Sequence, residues 1–127
     1  MKENEITGKI IDAAYKIHNS LGPGLFESVY EALMIHELEK RGLKVIRQQA
    51  IPFVYESIKF KIGFRADLMV EDKVLVELKS VESIAPVHRK QLLTYLRLAD
   101  KRVGLLINFG AAFIRDGIVR VVNNLKE

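Results

Sequence analysis

The chain contains no cysteine. That excludes disulfides, thiolate zinc sites and cysteine nucleophiles, and leaves oxygen ligands and three histidines for any metal. A hard cation such as Mg²⁺ is therefore the expected cofactor. No apolar stretch approaches the roughly 20 residues that a membrane-spanning helix requires, and residues 1–7 are charged, unlike a secretory signal. A cytoplasmic location is expected. Repeats, low-complexity tracts and linkers are also missing, which predicts one domain over residues 1–127, within the usual single-core size of roughly 100–150 residues.

Hydrophobic residues make up 49% of the chain and charged residues 28%, so it has enough apolar material for a core and enough charge to stay in solution. The formal net charge of +4 suits a polyanionic partner without demanding one.

Periodicity predicts the elements. Ile6, Ile10, Ile11, Ala14, Ile17 and Leu21 recur at three- and four-residue steps and give a first helix over 5–21. Gly22-Pro23-Gly24 breaks it, and a second helix runs to about Arg41, with Gly42 as its stop. Residues 44–60 read as two antiparallel strands with a break near Glu56-Ser57. Residues 63–70 and 74–79 read as a hairpin around Glu71-Asp72-Lys73. Pro86 opens a third helix reaching about Asp100. A buried strand over 103–109 follows, then a hairpin over 113–122 turning at Asp116-Gly117. The predicted order is ααββββαβββ, an α/β fold with a mixed sheet, ending in a polar tail over 123–127.

The 63–79 hairpin carries the chemistry. With a three-residue loop, Val70 pairs with Val74 and Asp67 falls opposite Glu77, with Cβ atoms roughly 5 Å apart. Two facing carboxylates repel, and burying them costs several kcal/mol unless a cation lies between them. Lys79 lies on the same face as Glu77 by strand alternation, while Ala66, Leu68, Val70, Val74, Val76 and Leu78 supply an apolar opposite face. A two-residue loop would instead oppose Asp67 to Val76 and separate the carboxylates, so both registers stay open at this point. On the third helix His88, Gln91 and Tyr95 share a stripe, and on the second Glu27 and Tyr30 are neighbours, Glu27 in the first turn where a carboxylate suits the helix dipole. Arg65, Arg89 and Lys90 are candidates for phosphate contacts. His18 and His36 fall in largely apolar helical patterns and read as structural.

Taken together these residues resemble the PD-(D/E)XK nuclease superfamily. Asp67 closes Phe64-Arg65-Ala66-Asp67, Glu77-Leu78-Lys79 supplies the E-x-K element, and Gln91-Leu92-Leu93-Thr94-Tyr95 is similar to the Q-x-x-x-Y element of the branch with RecB-type and phage-type exonucleases. Gly24-Leu25-Phe26-Glu27-Ser28-Val29-Tyr30 resembles the signature of the GxxExxY group within that superfamily. Ala66 stands where the superfamily name has proline, a position that is widely varied.

The resemblance implies a restriction-endonuclease-like core, a mixed central sheet flanked by helices. It implies Asp67 and Glu77 as ligands to Mg²⁺ or Mn²⁺, Glu27 as a further acidic ligand, Lys79 assisting the nucleophile, and Gln91 and Tyr95 positioning substrate or Lys79. The expected activity is metal-dependent phosphodiester hydrolysis of nucleic acid, DNA ahead of RNA, and a homodimer is compatible with it. His88 joins Arg65, Arg89 and Lys90 as a nucleic-acid contact. The competing readings are a nucleic-acid-binding module and a protein-interaction module, each keeping the fold without turnover.

Overall fold

The computed structural model describes residues 1–126; Glu127, the last residue of the expected tail, lies outside the described residues. Helix α1 (Glu3–Leu21) and helix α2 (Glu27–Lys40) come first, followed by strands β1 (Val45–Tyr55), β2 (Ile58–Val70) and β3 (Val74–Lys79). Helix α3 (Pro86–Ala99), strand β4 (Val103–Asn108), a one-turn 3-10 helix (Ile114–Gly117) and strand β5 (Ile118–Val122) complete the chain.

The five strands lie side by side in chain order, all neighbours antiparallel except β3 and β4, which α3 connects in parallel. This is the mixed sheet flanked by helices that the sequence predicts. One core forms where Ile6, Ile10 and Ile17 of α1 and Tyr30, Met34 and Leu38 of α2 meet Leu68, Val70, Val76, Leu78, Leu105 and Ile107. On the other face Leu92 and Leu96 of α3 meet Phe64, Ala66, Met69, Leu75 and Leu106. β4 is buried along its whole length because helices cover it on both sides.

Two strands differ from the sequence expectation. Residues 58–70 run as one strand, so three strands precede α3. The gap that the sequence pattern leaves at residues 61–62 is an irregularity within the strand: the β1–β2 register shifts between Ile51 and Phe53, and Gly63, where a Cβ would lie 2.2 Å from the Phe53 ring, leaves room for that ring. Residues 113–117 form no strand, because Ile114 is 3% exposed and turned into the α1 side of the core, and that anchor curls the chain into a 3-10 turn at Asp116-Gly117. Two strands therefore follow α3.

The β2–β3 turn settles the register. Val70 pairs with Val74, Met69 with Leu75 and Leu68 with Val76, with Glu71 and Asp72 both left-handed at φ 53° and 54°. The alternative that opposes Asp67 to Val76 is excluded.

Candidate active site at the open end of the β2–β3 ladder

Continued by one step, the register brings Asp67 opposite Glu77, and there the backbone ladder gives way to side chains. The Leu78 N–H donates to Asp67 Oδ2 at 2.9 Å and the Asp67 N–H donates to Glu77 Oε1 at 3.3 Å. Each carboxylate thus satisfies a backbone donor of the opposite strand, which fixes both at the point where β2 and β3 part.

The face they share is the α3 face, since Glu77 and Lys79 follow at two-residue steps from Leu75, which packs on Leu96 and its neighbours. Ala66 also belongs to this face, not to the opposite one on which the sequence pattern places it. The cause is a break in alternation. Gln48 of β1 is left-handed at φ 48°, the β1–β2 pairing skips Gln48 and Asp67, and the apolar pattern changes sides between Ala66 and Leu68.

Burial and the neighbouring Asp67 charge push the Glu77 carboxyl up to about 8; Lys79 opposes them only weakly. Tyr95 stacks on Phe64 with ring centroids 3.9 Å apart, and burial followed by the Glu77 and Asp67 charges raises its hydroxyl above the usual range. The Lys79 ammonium makes no hydrogen bond or ion pair with the described residues, while its main chain is tied down where the Phe109 N–H donates to its carbonyl at 2.9 Å. The Lys79 ammonium therefore stands beside a carboxyl pair in which Glu77 holds its proton up to about 8.

A supporting relay, not anticipated from sequence, reaches Asp67 from α2. The Gln48 side-chain amide donates to Glu31 Oε2 at 2.8 Å and to Asp67 Oδ1 at 3.3 Å, and the Arg47 Nε–H donates to Glu31 Oε1 at 3.0 Å. Glu31 is 8% exposed, so its charge is held by these two partners. The available signal was its spacing, four residues after Glu27 on the same helix face. Nothing in the sequence marked Gln48.

The remaining candidates divide. Gln91 is exposed, one turn before Tyr95 on the same stripe. Glu27 does not join the carboxylate pair: among the described residues no three Asp, Glu or His side chains gather closely enough to hold a metal. Its Oε1 instead accepts from the Ser80 N–H at 3.3 Å, just past Lys79, so the helix leans on the end of β3. His88 closes the start of α3, its Nδ1 accepting from the Ala85 N–H at 3.1 Å. Arg89 and Lys90 are exposed beside a cavity of about 700 Å³, which Glu82 and Asp116 also line. Arg65 is exposed on β2 and donates to the Gln48 carbonyl at 3.5 Å. His18 is structural, with Nε2 2.8 Å from the Ala111 carbonyl, and His36 is exposed on α2.

Tyr30 is fully buried, stacks on Phe109, donates to the Gly22 carbonyl at 2.6 Å and accepts from the Leu25 N–H. It pins the Gly22–Leu25 turn to the core and thereby sets where α2 begins. Asn108 does the same for the loop after β3, exchanging two hydrogen bonds with the Val81 backbone.

Two carboxyl groups held together with only the weak counter-charge of Lys79 beside them suit a hard divalent ion, Mg²⁺ in particular, which keeps several waters and needs few protein ligands. A family model described as the PD-(D/E)XK nuclease superfamily matches residues 4–121. No curated protein and no solved structure matches the chain significantly.

Proposed function

Because the chain belongs to the PD-(D/E)XK nuclease superfamily, we propose that it hydrolyses phosphodiester bonds of DNA in the cytoplasm as a one-domain, Mg²⁺- or Mn²⁺-dependent enzyme of the GxxExxY group. The observation that carries this reading is the Asp67–Glu77 pair beside Lys79, with the Glu77 carboxyl raised to about 8.

Asp67 and Glu77 would hold the cation, which when bound would polarise the scissile phosphate and acidify the attacking water. Glu77 must give up its proton for this, and the ammonium of Lys79 two residues away favours that loss. Lys79 also supplies a fixed positive charge where negative charge develops on the phosphate oxygens. Tyr95 keeps its proton, since its hydroxyl is raised further, and so acts as a hydrogen-bond donor toward the substrate or the carboxylates. Gln91 is exposed on the same stripe and free to contact the substrate backbone. Gln48 and Glu31 are positioning residues that hold Asp67 in one rotamer through the bonds already described. Glu27 supports the end of β3 through the Ser80 N–H. Arg65, His88, Arg89 and Lys90 are assigned to the substrate backbone.

The test combines calorimetric titration of Mn²⁺ with incubation on single- and double-stranded DNA and on RNA, for the wild type and Glu77→Ala. Metal-dependent cleavage of DNA, lost in a folded variant, is expected. A folded wild type that binds no metal and cuts nothing overturns the reading.

A further inference from the structure

β2 pairs with β3 only from Leu68 to Val70, so most of the β1–β2 pair extends past the sheet as a two-stranded ribbon. Its base is Asp67. Near the base Ile51 and Phe64 are buried against α3, but beyond them Val54, Tyr55, Ile58, Phe60 and Ile62 are all exposed. Tyr55 pairs with Ile58 and Phe53 with Phe60, the two phenyl rings stacked at 4.8 Å, so these four share one face. Lys59 and Lys61 alternate with Phe60 and occupy the other, where Val54 pairs with Lys59. From residue 48 to residue 66 Lys59, Lys61 and Arg65 face a single carboxylate, Glu56 at the turn. Neither lysine has an ion-pair partner among the described residues.

Exposed apolar side chains on a cationic ribbon that leads directly to the active site are not explained by folding. A second copy is a poor occupant, because pairing two such ribbons would bring like charges together. A polyanion is complementary. A two-stranded ribbon fits the major groove of a B-form duplex, about 12 Å wide, and does not fit the deep, narrow major groove of A-form RNA. We propose that the β1–β2 ribbon is a docking arm for double-stranded DNA. Lys59 and Lys61 contact backbone phosphates, and the Tyr55–Ile58 tip lies against the base edges. The duplex is thereby held with its backbone toward Asp67. This deepens the nuclease reading and rests on it for the identity of the reacting site, but the arm is tested by binding alone.

The full chain is titrated in EDTA against labelled duplex DNA, single-stranded DNA and duplex RNA of equal length, across a salt series, and compared with Lys59→Gln/Lys61→Gln and with Tyr55→Ser/Ile58→Ser. All four positions are exposed, and circular dichroism checks the fold. Duplex DNA is expected to bind tightest. The double lysine variant should flatten the dependence of log K on log salt by about 2, from roughly 0.9 per lost phosphate contact. The tip variant should weaken duplex binding several-fold with the salt slope unchanged. An unchanged slope in the lysine variant overturns the proposal, as does equal affinity for all three nucleic acids. So does sedimentation showing a wild-type dimer that the tip variant splits. If binding behaves as expected while no metal-dependent cleavage occurs, the arm stands and the nuclease reading falls. Cleavage with an unaltered slope gives the reverse.

Discussion

Glu77 titrates from about 8 in the folded chain against 4.5 for an ordinary glutamate. The folded state therefore holds a proton that the unfolded state has released, and stability without metal is complete below 4.5 and declines as the pH rises to 8. At 1.36 kcal/mol per unit the full span corresponds to about 5 kcal/mol, and solvent screening of this partly exposed carboxyl reduces the expected loss to about 2–3 kcal/mol. Glu77→Gln removes the charge while keeping an oxygen for the Asp67 N–H. In EDTA the variant and the wild type should unfold at the same temperature at pH 5. At pH 9 the variant should be about 2–3 kcal/mol more stable, or about 10 °C higher in Tm. Comparing the two cancels every other titrating group. Adding Mg²⁺ at pH 9 should raise the wild type alone, since the cation takes the place of the proton. Scanning calorimetry from pH 5 to 9 decides the matter. If the variant is no more stable than the wild type at pH 9, Glu77 is not destabilised by burial and by Asp67, and the physical case for a cation at this pair collapses.

Lys79→Met should lower the cleavage rate by about 10²–10³ while leaving Mn²⁺ binding in place, read from single-turnover kinetics beside calorimetry. Gln48→Ala should weaken Mn²⁺ binding by about 10–100-fold, as removal of a side chain that orients a ligand does elsewhere; unchanged metal affinity would show the relay to be structural only. Tyr30→Phe loses both hydroxyl bonds to the Gly22–Leu25 turn and should cost about 1–3 kcal/mol in urea unfolding with the cleavage rate retained. Glu37 is held down at about 2 by Arg41 and Lys16, so its contribution is present above 4.5 and lost as pH falls toward 2. Glu37→Gln should make unfolding below pH 4 less steep when followed by circular dichroism.

The helices were legible because each rests on local rules, and the observed β2–β3 register was one of the two that the loop allowed. Three- and four-residue apolar steps mark α1, Pro86 opens α3, and a three-residue polar loop sets Val70 opposite Val74. The errors fall where a distant partner decides the backbone. The run over 58–70 looks interrupted between residues 60 and 63, yet the strand continues there through a shift of register against Ile51 and Phe53 of β1. Asp116-Gly117 has the composition of a hairpin turn, but Ile114 binds the segment to the core before a strand can form.

At the site the same division holds, and it has a consequence for how the chain acts. Asp67, Glu77 and Lys79 could be placed together from spacing, because strand alternation and the loop fix which of them meet, and Tyr95 gained its place only beside that hairpin. Gln48 could not be so placed, since a left-handed glutamine in mid-strand is a strained choice that only the surrounding structure sustains. That strain accompanies the change of face between Ala66 and Leu68. Without it, regular alternation would carry Ala66 to the α1–α2 side and turn Phe64, the ring on which Tyr95 stacks, away from α3. One backbone irregularity thus brings three things together: Asp67 paired with Glu77, Tyr95 within their field, and the amide of Gln48 bonded to Asp67. A substitution that relaxed Gln48 into extended geometry would be expected to disturb all three at once, and to damage the site more than the loss of a single hydrogen bond.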